Sequence, residues 1–117
     1  MVTVAWVLFL GVVSFLLVHE LDAVRQREWQ FFFASLSIDD GTAARIFTAA
    51  HAPLFVVVLV SLESPTAQVV VDTFAIIHAG LHFGLRNHPL VAFGGLFSRF
   101  WIYGGALLGA LHLVFAL

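Results

Sequence analysis

The segment VTVAWVLFLGVVSFLLV, Val2–Val18, contains no charged side chain and sets a bulky apolar residue at most positions. A helix crossing the hydrocarbon core of a bilayer takes about 20 mostly apolar residues. This run meets that length once it continues through His19 into HELDAVRQREWQFFF. No basic region precedes it and no small-residue cleavage site follows it, so it reads as a retained span and not as a removed signal.

The rest of the chain agrees with that reading. Of 117 residues, 62% are hydrophobic and only 10% are charged, with a mean hydropathy of +1.05. A soluble domain carries about 25% charged residues. The cations are Arg25, Arg27, Arg45, Arg86 and Arg99, with no lysine. They are too few and too scattered for a nucleic-acid surface, so no nucleic-acid partner is expected. The absence of cysteine excludes disulfides, thiolate nucleophiles, sulfur-ligated clusters and covalent haem attachment.

Three further spans follow from the same pattern. One runs over about 43–62, after the capping residues of SIDDGT. Another covers about 67–85, after the ESPT turn, where Pro65 is suited to open a helix. The last lies within about 92–117, with Gly94-Gly95 placed to interrupt its beginning. The expected fold is therefore all-α, an integral membrane four-helix bundle forming one domain over residues 1–117. Arginines fall in the first and third connections and none in the second, which places those two connections in the cytoplasm and both termini outside. The bilayer is the first partner. Gly80 with Gly84 and Gly105 with Gly109 form small-xxx-small pairs, which permit close helix contacts within one chain or in a homo-oligomer.

This topology gathers polar residues in the cytoplasmic half. His19, Glu20 and Asp22 lie near the end of the first span, His51 about two turns into the second, and His78 about two turns from the end of the third. His78 and His82, at i and i+4 in HAGLHFGLRNHP, share a helix face, a spacing that lets two imidazoles grip one ion. The competing reading is a pair of core histidines bonded to carbonyls or other polar groups. Intramembrane polar residues are usually functional, which favours the ligand reading. The candidate metal ligands are His19, His51, His78 and His82, with Glu20 or Asp22 as carboxylate partner and candidate catalytic proton acceptor. The competing reading of Asp22 is an i,i+3 pair with Arg25. Pro53, two residues after His51, favours a kink there, and Thr48 is placed to orient the imidazole. A fourth span starting near Leu90 would bring Arg99 to Asp72. A start near Phe97 leaves Arg99 at the interface beside Trp101 and Tyr103, the preferred reading.

The donor set suits a divalent metal, zinc or iron. The leading expectation is a metal-dependent hydrolase or oxidoreductase acting on a lipid-soluble substrate, with zinc acidifying a bound water. A b-type haem held by His51 and His78 is the alternative cofactor, giving electron transfer. A small proton-coupled transporter and a purely structural assembly subunit complete the set.

VHELDAVRQREW and HAGLHFGLRNHP resemble segments of small four-span prokaryotic membrane proteins with metal-binding histidines, of which the HXXEE family is the named comparison. That resemblance implies a prokaryotic plasma membrane and a zinc motif. Here His19 is followed directly by Glu20, and Asp22 is not followed by a glutamate.

Overall fold

A computed structural model describes residues 1–116. Its elements are α1 (Val4–Arg25), α2 (Trp29–Phe32), α3 (Asp40–Val60), α4 (Pro65–Gly84) and α5 (Leu96–Ala116). Among the described residues there is no strand.

Three of the long helices begin where a side chain satisfies an orphan backbone donor. Thr3 Oγ1 accepts from the Trp6 amide at 3.1 Å, and Ser64 Oγ accepts from the Ala67 amide at 3.3 Å ahead of Pro65 in the first turn. Asp39 accepts from the Thr42 amide at 2.9 Å and from its hydroxyl at 2.8 Å. Those bonds, the hydroxyl's first, hold the exposed Asp39 carboxyl below its ordinary range. Helix α5 opens at Leu96, after Gly94-Gly95. Arg99 therefore sits in its first turn, close in sequence to Trp101 and Tyr103, and Asp72 takes a different partner.

The end of α1 differs from the expected continuation toward Trp29. The Glu28 amide donates to the Ala23 carbonyl at 3.0 Å and the Arg27 amide to the Val24 carbonyl at 3.2 Å. This is the Schellman closure, which needs a left-handed residue just past the helix. Arg27 supplies it at φ 59°, without the glycine that usually marks such a stop. The chain thus reverses after Gln26 and turns Glu28 back toward the bundle.

Helix α5 packs against both α1 and α4, while α3 meets α1 more thinly and carries α2. Gly109 makes the α4–α5 approach close: a Cβ there would stand 3.2 Å from the Asp72 carbonyl oxygen. Gly105 is buried on the same helix, whereas Gly80 and Gly84 face open space.

The distribution of polarity is inverted relative to a water-soluble bundle. His19, Asp22, Asp72, His82, Ser98 and His112 are buried among Phe9, Val12, Ala75, Ala79 and Ile102. Val57, Leu59, Val60, Ile77, Leu107 and Val114 point outward. An apolar exterior over a polar interior is the distribution that suits hydrocarbon surroundings. Helices α1, α3 and α5 are each long and apolar enough to cross a membrane. Helix α4 has similar length but carries Asp72, His78 and His82 and stands outside that set.

Candidate metal centre

His19, two turns before the end of α1, projects toward α4, where His78 and His82 lie one turn apart. Ring centroids are 4.6 Å apart for His19–His78, 5.3 Å for His19–His82 and 4.5 Å for His78–His82. The Nε2 atoms of His78 and His82 are 3.1 Å apart. The reversed chain after α1 brings in a carboxylate: Glu28 Oε2 is 3.9 Å from His19 Nε2, and Oε1 is 3.9 Å from His82 Nε2. One donor atom from each of His19, Glu28, His78 and His82 lies within 4.8 Å of every other, an arrangement able to hold a metal ion.

Geometry and donor chemistry fit that use. Zinc bonds of about 2.0–2.1 Å in a tetrahedron set donors about 3.4 Å apart, between the 3.1 and 3.9 Å separations seen here. His19 is 1% exposed, yet neither of its ring nitrogens has a hydrogen-bond partner, and His82 Nδ1 is likewise buried and unpaired. Each such group costs about 1–3 kcal/mol unless something satisfies it. Phe93 covers the cluster from one side, its ring 5.4 Å from His19 and 4.8 Å from His82. Phe74 stacks on His78 at 5.2 Å. Burial, with the Glu20 carboxylate the next contributor, pushes the Glu28 carboxyl up to about 7 against the opposing influence of His51.

The other expected residues are placed elsewhere. His51 Nε2 lies 2.5 Å from Glu20 Oε2, and its Nδ1 lies 2.7 Å from the Phe47 carbonyl. With Nδ1 donating to that carbonyl, one further proton must lie between His51 and Glu20. The imidazole is thus oriented by Phe47, and Thr48 makes no side-chain bond to it. Asp22 is committed on both oxygens: Oδ1 accepts from Arg25 Nη2 at 2.7 Å and Nε at 3.0 Å, and Oδ2 from the Ser98 hydroxyl at 2.5 Å. It ties α1 to the start of α5. The carboxylate facing the imidazoles is accordingly Glu28, not Glu20 or Asp22, and His51 sits outside the group.

A second imidazole–carboxylate pair, this one buried, joins α4 to α5 farther along the bundle. His112 Nδ1 lies 2.5 Å from Asp72 Oδ2, with Asp72 fully buried. Asp72 is six residues, about 9 Å of helix, before His78, so this pair is separate from the imidazole cluster.

Glu28 escaped the sequence reading for a definite reason. On a continuous helix, nine residues place it about 13 Å beyond His19 and on the opposite face. Only the left-handed Arg27 returns it, and arginine gives no sign of that conformation.

Fold and site together define an all-α bundle, three of whose helices are long and apolar enough to cross a membrane, with an imidazole–carboxylate cluster enclosed between α1 and α4. The chain belongs to the family of unknown function DUF6713, whose pattern matches residues 5–117. No curated protein and no solved structure matches it. The family match lends no support to the HXXEE resemblance or to a prokaryotic origin.

Proposed function

We propose that the protein binds a divalent metal ion within the membrane, using His19, His78, His82 and Glu28. In this reading α4 crosses the bilayer beside α1, α3 and α5, shielded from lipid by α1 and α5 on its polar face. The observation that carries the proposal is His19: an imidazole 1% exposed, both nitrogens unpaired, faced by three further donors. Two polar nitrogens left in an apolar interior are costly, and an ion at the centre of the four donors offsets that cost for the one that coordinates.

Three imidazoles and a carboxylate suit zinc, and suit iron when a position stays open. Closed four-donor sites are typically structural, whereas hydrolytic and oxidative centres keep a position for substrate. With Glu28 as fourth donor, metal binding itself is the function best supported. Turnover as a hydrolase or oxidoreductase would require Glu28 to yield its place. The adjoining His51–Glu20 pair lies outside the donor set, and its role is to fix the charge facing Glu28.

The test is metal content and visible absorbance of untagged protein purified in detergent. Zinc or iron near one equivalent is expected, and it should vanish in a His78→Ala/His82→Ala variant that keeps its helical circular dichroism. A folded double variant that retains the metal would refute the site. So would wild-type protein that takes up neither ion on reconstitution. A Soret band would replace this reading with haem.

A further inference from the structure

A cavity of about 320 Å³ lies between the end of α4 and the beginning of α5. Its wall includes Arg86, Arg99, Tyr103 and Gly94, and on the inner side His82 and Phe93, which also belong to the cluster described above. Cavities of this size hold small ligands or headgroups. Two guanidinium groups border it and no lining residue is acidic.

The two arginines are not used up by the fold. Arg25, in the same end of the bundle, is neutralised by Asp22. Arg86, by contrast, donates only to the Phe83 carbonyl at 2.7 Å and lies 4.1 Å above the Phe83 ring. Those contacts orient the guanidinium without cancelling its charge. Arg99 has no ion pair and no side-chain hydrogen bond among the described residues. Helix α5 starts two residues after Gly94, so the positive end of its backbone dipole adds to the same field. Two uncompensated guanidiniums bordering one concavity are matched in charge by an oxyanion of about two negative charges, the class of ligand that arginine recognises best.

We infer that this cavity is an oxyanion site for a phosphate group, held by Arg86 and Arg99. The phosphate belongs either to the headgroup of a phosphomonoester lipid or to a free ion, and both use the same contacts. The assignment stands apart from the metal reading, although His82 forms part of the wall between them.

The experiment uses full-length protein stripped of metal by a chelator, so that failure of the metal site leaves the result readable. Native mass spectrometry follows binding of dioleoyl phosphatidic acid against dioleoyl phosphatidylcholine, and calorimetry follows inorganic phosphate. One saturable equivalent of at least one phosphate probe is expected, with phosphatidylcholine excluded. Arg86→Gln/Arg99→Gln should weaken it at least tenfold, while Arg45→Gln, at another exposed arginine, leaves it unchanged. Saturation by phosphatidic acid alone assigns a lipid headgroup, and saturation by inorganic phosphate assigns the free ion. Equal binding by the double variant, equal loss in Arg45→Gln, or no saturable binding of either probe would overturn the inference.

Discussion

Replacing Glu28 by glutamine keeps the shape of the side chain and removes the carboxylate that faces His19 and His82 at 3.9 Å. Zinc sites of four protein donors bind with roughly 10–16 kcal/mol, which divides to about 2.5–4 kcal/mol per donor. At 1.4 kcal/mol per tenfold, Glu28→Gln should weaken zinc binding by about 10²- to 10³-fold. Glu20→Gln breaks the bond to His51 and removes a charge that helps raise the Glu28 carboxyl, and it should stay within about tenfold, the lower range for outer-shell changes. Competition with a chromophoric chelator in detergent at pH 7.5 measures both. The carboxyl of Glu28 is pushed up to about 7 by burial, so binding below that pH must expel its proton. Affinity should then fall by up to about tenfold per pH unit from this group as pH drops below 7, and the Glu28→Gln variant should lose that part of the slope. The metal-free protein should show the opposite trend. A carboxyl raised from 4.5 to about 7 stabilises the fold below 4.5, and that contribution, on the order of 3 kcal/mol, is lost as pH rises through 7. Glu28→Gln binding within threefold of wild type, with Glu20→Gln losing the metal, would refute the placement of Glu28.

His112→Ala leaves Asp72 buried without its partner and should cost about 3–5 kcal/mol, read as a lower unfolding midpoint in detergent; metal content should persist, because the pair is separate from the cluster. No change in midpoint would contradict the burial of Asp72. Gly109→Ala sets a Cβ 3.2 Å from the Asp72 carbonyl oxygen and should cost about 1–3 kcal/mol by prying α4 from α5; the same change at Gly80, which faces open space, should cost nothing in the same assay. Arg27→Gly relieves a left-handed arginine at φ 59° and should stabilise the protein by up to about 1 kcal/mol with metal affinity kept, whereas destabilisation by thermal melting would mean that the reversal after α1 is held by the arginine side chain itself.

What the sequence disclosed follows the reach of its signals. Apolar runs and capping residues act over a few positions, so Thr3, Asp39 and Ser64-Pro65 mark helix starts within a few residues of those expected. Periodicity also joined His78 to His82, because i,i+4 neighbours are fixed by the helix alone. Partners from different helices lie beyond that reach. Equal depth proposed His51 for the cluster. Depth, however, does not fix rotation about the helix axis, and the Phe47 carbonyl and Glu20 hold this imidazole to one side. Asp22 looked available until α5 supplied Ser98, a contact across 76 positions.

The two carboxylate–imidazole pairs, one buried and one half-buried, constrain how the cluster is read. If the ionisable groups served only to hold helices together, each should find at least one partner, as Glu20 does with His51, Asp22 with Arg25 and Ser98, and Asp72, through one of its oxygens, with His112. His19 does not, although Glu28 has been folded back beside it through a strained residue. A bundle that satisfies its other acidic side chains near α1 while leaving its most enclosed imidazole unpaired is not short of partners. It holds that imidazole facing three other donors, which is what an ion between α1 and α4 requires.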